Sequence, residues 1–184
     1  MINNNYDSYI PLYFYSLFIF ALWLCLCNNV TLQTVGYSFL TMGGGVASIC
    51  YIFYPSTSLL FYPIWHPASL HGLIYHWFML FTALMVMKSK LYRPNIKHFV
   101  HYFAFLSIFC VIAVILNAYL DTNFMFLGNP FALDFLQGVF RYSPYLYASL
   151  AYMTQSIVLY FVSYCIYRIY FVIKCKEVRN QNVE

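Results

Sequence analysis

His71, Asn117, Asp121, Asn123 and Asp134 are the residues of this chain whose types could do chemistry. They offer an imidazole that exchanges a proton near neutral pH, two carboxylates and two carboxamides. Four of the five fall in one stretch, "LNAYLDTNFMFLGNPFALDF" (residues 116–135), inside a chain that is 63% hydrophobic and 8% charged. An ionisable group inside a membrane span costs roughly 3 kcal/mol at the centre and usually faces a bundle interior or a cavity. The spacing of His71 and His76 matters for the same reason. Five residues turn a helix by about 140° beyond one revolution, so the two rings are not expected to line one cavity. His71, nearer the polar stretch, is then the functional candidate and His76 a packing residue.

The elements that must carry these groups follow from hydropathy. With 184 residues, 23% aromatics and a mean hydropathy of +0.69, the chain has too much apolar surface to hide in one water-soluble domain. A bilayer crossing needs about 20 apolar residues, and five runs meet that length: 8–27, 35–54, 68–87, 98–120 and about 145–173. The expected fold is all-α, a polytopic helical membrane bundle of about five spans forming one domain over 1–184. No basic region precedes the first run, which therefore reads as a retained span rather than a signal peptide. "NPFALDFLQGVF" is amphipathic and reads as a short interfacial helix before the last span.

Basic residues are retained on the cytoplasmic side of a membrane. Lys88, Lys90, Arg93 and Lys97 lie between runs three and four, and Arg168, Lys174, Lys176 and Arg179 at or beyond the end of run five; Arg141 is the exception. This predicts an outside N-terminus and a cytoplasmic C-terminus in a multi-pass protein of the cell membrane. The net charge of +4 then reports topology and not nucleic-acid binding. In this orientation His71, Asn117, Asp121, Tyr13 and Tyr15 come to one depth near the outer leaflet. Asn123 and Asn129 alone also suit a solvated turn at "LGNPF". No metal or other cofactor is expected: the six cysteines lack ligand spacing, and His98 and His101, though three residues apart, have no carboxylate or thiol nearby. Gly43 with Ala47 and Gly44 with Ser48 mark close helix packing.

In order along the chain, "YIPLYFYSLFIF", "SLHGLIYH", "NAYLDTNFMFLGNP" and "LDFLQGVFRYSPYLY" resemble the YwaF-type integral membrane proteins, over roughly residues 8 to 155. These are small polytopic bacterial proteins related to a vertebrate protein described as moving fatty acyl chains between phospholipids. The resemblance implies a lipid-handling or acyl-transfer role with His71 as base and Asp134 or Asp121 orienting it. Asn117 or Asn123 would donate to an oxyanion. Tyr13 and Tyr15 stand where the family has a histidine and a cysteine, which leaves Ser16, Thr41, Cys50, Ser56, Thr57 and Ser69 as available nucleophiles, or a lipid hydroxyl activated directly. Tyr13, Tyr15, Asn117, Asp121 and Asn123 would contact substrate. The rival expectation is a non-catalytic subunit that binds a small molecule, works with a membrane-protein partner or forms a homo-oligomer.

Overall fold

The computed structural model describes residues 10–55, 62–130 and 134–181. The described chain is built from helices, with no strand among those residues. A 3-10 turn, Phe14–Ser16, leads into α1 (Leu17–Cys25). Then follow α2 (Val30–Phe53), α3 (Pro67–Lys88), α4 (Ile96–Leu120), α5 (Asp134–Tyr142) and α6. The last joins Pro144–Met153 and Leu159–Gln181 through a π turn, Thr154–Val158. Four of these helices, α2, α3, α4 and the Pro144–Tyr170 part of α6, are long and apolar enough to cross a membrane.

The first hydrophobic run departs from the expectation of a full-length span. It yields only the shorter apolar helix Phe14–Cys25: residues 10–13, at the front of the run, are not helical, and the next helix starts at Val30. Asn29 caps it, its carboxamide oxygen accepting from the Thr31 and Leu32 amides at 2.9 and 3.3 Å. Satisfying two of the orphan donors of a helix start fixes α2 at Val30, five residues ahead of the hydrophobic run at 35. The chain thus reverses between residues 26 and 29.

α2 is the central helix. Of its most apolar window 56% is buried inside the protein, against 22%, 28% and 17% for α3, α4 and α6, whose exposed Ile, Val, Leu and Phe residues suit a lipid surroundings. Small residues allow it to be approached from several sides. A Cβ on Gly36 would lie 2.5 Å from the Ala21 carbonyl oxygen of α1, and one on Gly43 would lie 2.8 Å from the ring of Tyr102 in α4.

Two wide turns sit within the spans, Phe39–Gly44 of α2 and Thr154–Val158 of α6. A π turn misdirects backbone carbonyls that an α-helix would satisfy internally, and within a bilayer such a carbonyl must find another donor. The Ser163 hydroxyl, on α6, donates to the Met42 carbonyl in the first turn. The Tyr102 hydroxyl, on α4, donates to the Gln155 carbonyl in the second. Tyr102 is fully buried, with its ring 6.0 Å from Phe39 and 5.3 Å from Tyr160. One phenol therefore ties α2, α4 and α6 together at mid-bundle.

Candidate functional site

The helix connections sort the polar residues between two ends. The α3–α4 connection and the helix ends that flank it carry Lys88, Lys90, Arg93 and Lys97, and α3 is about 33 Å long at 1.5 Å per residue. The start of α3, the end of α2, the end of α4 and the starts of α1 and α6 all lie at the other end.

At that other end α4 finishes in the left-handed residue Asp121 (φ 51°), a common way to stop a helix. Asp121 is exposed. The next residues fold back into the bundle: Phe124 and Met125 are fully buried, and Met125 and Phe126 also have positive φ, 58° and 52°. Left-handed backbone is disfavoured for residues with a Cβ. Hydrogen bonds hold it here.

Asn117, one turn before the end of α4, accepts from the Phe124 amide at 2.7 Å and from the Thr122 hydroxyl at 3.0 Å, and donates to the Phe124 carbonyl at 3.1 Å. Asn123 accepts from the Gly128 and Asn129 amides at 2.9 and 3.0 Å and donates to the Asn129 carbonyl at 3.1 Å. From α6, Tyr147 donates to the Phe126 carbonyl at 2.7 Å and Gln155 to the Met125 carbonyl at 2.8 Å. Both carboxamides are thus engaged with the peptide groups of this inserted loop. The polar density of residues 116–135 has a structural reason: irregular backbone among apolar helices needs side-chain partners.

Beside the loop lies a cavity of about 190 Å³. Tyr15 of the α1 entry turn, Tyr51 of α2, Tyr62, and His71, Tyr75 and His76 of α3 line it, with Ala68 and Gly72 as its floor. The expectation that His71 and His76 cannot share a cavity is corrected here, for a reason visible on the helical wheel. At about 100° per residue, Ala68 and Gly72 fall between the two histidines. Tyr75 falls in the same sector on the His71 side, so the small Ala68 and Gly72 leave a floor on the His76 side, with the imidazoles at the two edges.

His71 is exposed at the rim, its ring 6.0 Å from Tyr75. His76 is 5% exposed and stacked on Tyr51 at 3.6 Å with the planes 7° apart. Its Nδ1 lies 2.7 Å from the Gly72 carbonyl. A carbonyl only accepts, so the neutral ring carries its proton on Nδ1 and its lone pair on Nε2. Tyr51 comes this close because Gly72 is bare: a Cβ there would lie 2.3 Å from the Tyr51 hydroxyl. Tyr75 donates to the Tyr15 carbonyl at 3.2 Å.

Tyr13 and Tyr15 connect the two regions. Their rings are parallel with centroids 5.7 Å apart; Tyr13 packs on Phe124 and Phe126 of the loop, and Tyr15 on Tyr75 and His76 of the cavity. Of the residues expected from sequence to form one site, His71 and Tyr15 line the cavity and Tyr13 stands behind it. Asn117 and Asn123 serve the loop, and Asp121 is exposed at the end of α4. Asp134 opens α5, but its side chain lies outside the described residues, as do Ser56 and Thr57. Ser16, Thr41, Cys50 and Ser69 are not among the lining residues. Tyr51, Tyr62, Gly72 and Tyr75 also line the cavity and carry no distinguishing mark as single residues in the sequence. An Ala68/Gly72 pair four residues apart beside two histidines was the available signal.

Among the described residues no three His, Cys, Asp or Glu side chains gather as metal ligands. Compared with known proteins, the chain matches no family model, no curated relative and no solved structure.

Proposed function

We propose that this chain is a multi-pass protein of the cell membrane that binds the polar portion of a membrane lipid in the cavity between His71 and His76. The observation that carries the reading is the position and lining of that cavity: it lies at one end of a membrane-length bundle and is walled by tyrosine and histidine. Such amphipathic rings are suited to the boundary between headgroups and acyl chains. The proposed topology keeps the orientation read from charge, with α1 as a short fifth pass, the basic end cytoplasmic, the cavity in the outer leaflet and α5 at the interface. Kinship with the YwaF-type proteins belongs to the same proposal and rests on the quoted motifs.

Lipid retained through purification and identified by native mass spectrometry tests the reading. Gly72→Ala should reduce the retained lipid with helicity unchanged, because its Cβ collides with Tyr51, one of the cavity walls. Equal retention by both proteins would remove the cavity from lipid binding.

One observation favours acyl transfer as a second reading. The Nδ1 bond to the Gly72 carbonyl leaves His76 with a basic Nε2, the arrangement a general base needs to activate a lipid hydroxyl. Transfer of a labelled acyl chain from a phospholipid to a lysolipid in liposomes, lost in His76→Ala or His71→Ala, would support it. A subunit acting through a membrane-protein partner would instead show no transfer and a stable copurifying protein.

A further inference from the structure

We propose that the ligand group this cavity takes is an organic cation of the alkylammonium class, held on the faces of Tyr15, Tyr75 and His76. The inference rests on the lipid-binding reading and narrows it to one headgroup chemistry. Three ring planes meet steeply at the cavity: Tyr15 and Tyr75 at 76°, Tyr75 and His76 at 78°, Tyr15 and His76 at 53°. Tyr51 backs the last of them in parallel. Rings so inclined make a corner with π faces as walls, and the negative quadrupole of those faces attracts an alkylated ammonium, which cannot be matched well by hydrogen bonding.

The donor groups of Tyr75 and His76 are already engaged with the protein. Tyr75 gives its proton to the Tyr15 carbonyl, and His76 Nδ1 donates to the Gly72 carbonyl. An anion seated against Tyr75 and His76 would find neither of these donors available. No lysine or arginine lines the cavity, and the basic cluster at the far end is roughly three Debye lengths away at physiological ionic strength. Six of the eight residues that line the cavity carry aromatic rings.

The experiment uses the full chain in nanodiscs of phosphatidylglycerol, titrated calorimetrically with choline and with its uncharged isostere 3,3-dimethylbutan-1-ol. Choline is expected to saturate, and the isostere to bind at least about tenfold more weakly. Tyr15→Phe, which keeps the ring face, should retain choline binding; Tyr15→Leu should lose about tenfold. Repeating the titration in phosphatidylcholine nanodiscs separates the sources: suppressed choline binding assigns the cation to a lipid headgroup, undiminished binding to a free solute. Equal affinity for choline and its isostere in the wild-type protein overturns the cation assignment and leaves lipid binding standing. If neither solute binds and phosphatidylcholine is not retained over phosphatidylglycerol, the cation assignment fails. If, in addition, Gly72→Ala keeps its lipid, the lipid-binding reading fails separately.

Discussion

Asn117 engages three partners with one carboxamide, and each is part of the loop that closes the end of the bundle. Replacing it with alanine strands the Phe124 amide beside buried aromatic rings, while the Phe124 carbonyl keeps the Leu127 amide at 3.3 Å. A buried peptide group that loses its partner destabilises by about 1–3 kcal/mol, so Asn117→Ala is expected to lower stability by about 2–3 kcal/mol, read by denaturation in detergent micelles. Retained lipid should be unchanged at temperatures where the variant remains folded. A variant of wild-type stability that had lost its lipid would instead make Asn117 a ligand contact. Gly36 is the other residue with a sharp expectation. A Cβ there meets the Ala21 carbonyl oxygen at 2.5 Å and Cys25 Sγ at 2.7 Å, and the backbone oxygen cannot swing aside as a side chain can. Overpacking of this kind costs about 1–3 kcal/mol. Gly36→Ala should therefore loosen the α1–α2 hairpin, seen as faster hydrogen exchange in α1. Cys25→Ala in the same chain should relieve only part of the effect, because it removes the sulfur and leaves the carbonyl.

At the scale of elements, the α3–α4 connection is held by a buried phenol. Tyr92 is 6% exposed, its hydroxyl lies 2.8 Å from His98 Nδ1, and Tyr160 of α6 reaches the same connection by donating to the Asn95 carbonyl at 2.7 Å. Burial pushes the Tyr92 phenol above its ordinary value of 10.0; the proximity of Tyr160 adds to the shift and a hydrogen bond with Ser38 opposes it. A group whose pKa is raised on folding stabilises the native state fully below its unfolded value and loses that contribution as pH climbs towards the folded one. Unfolding measured from pH 9 to 11 should therefore show stability falling with pH, less steeply in Tyr92→Phe, which is weaker than wild type at pH 9 because it has lost the His98 bond. Parallel profiles would mean that the Tyr92 phenol is not held protonated by the fold.

The sequence made some of these elements plain and left others hidden, for physical reasons. Hydropathy located α3 and α4 to within a few residues, since length and apolar content are all that a crossing requires. It could not see that Asn29 would start α2 five residues ahead of the run at 35, nor that residues 10–13 would stay outside the first helix. The polar richness of 116–135 was equally legible, but its purpose was not. Carboxamides that could face a substrate are the same ones that satisfy an inserted loop, and only the positions of the Phe124, Gly128 and Asn129 amides separate the two. His71 and Tyr15 were found because they break an apolar pattern. Tyr51, Tyr62 and Tyr75 were missed among 20 tyrosines, where an aromatic at the cavity resembles one at the lipid surface.

For the whole molecule, the segregation of charge from the cavity sets a test of sidedness. All four Lys and Arg residues from 88 to 97 lie in the connection opposite the cavity or at the helix ends that flank it, and Arg168 follows on the far half of α6; the cavity end has Arg141. If translocation retains the basic end in the cytoplasm, then α5 and the cavity mouth face outward together, and a lipid entering from the outer leaflet meets His71 first. Cysteines placed at Leu91 and Gly138 in a cysteine-free background report on the two ends. Leu91 is 66% exposed, and a Cβ at Gly138 meets nothing within 4 Å. A membrane-impermeant maleimide applied to intact cells should modify Gly138→Cys and reach Leu91→Cys only after permeabilisation. Exchanging Lys88, Lys90, Arg93 and Lys97 for glutamine should weaken that discrimination, since the retained charges are what impose it. The opposite labelling pattern would put the cavity on the cytoplasmic leaflet, and the lipid it meets would then be drawn from the inner face.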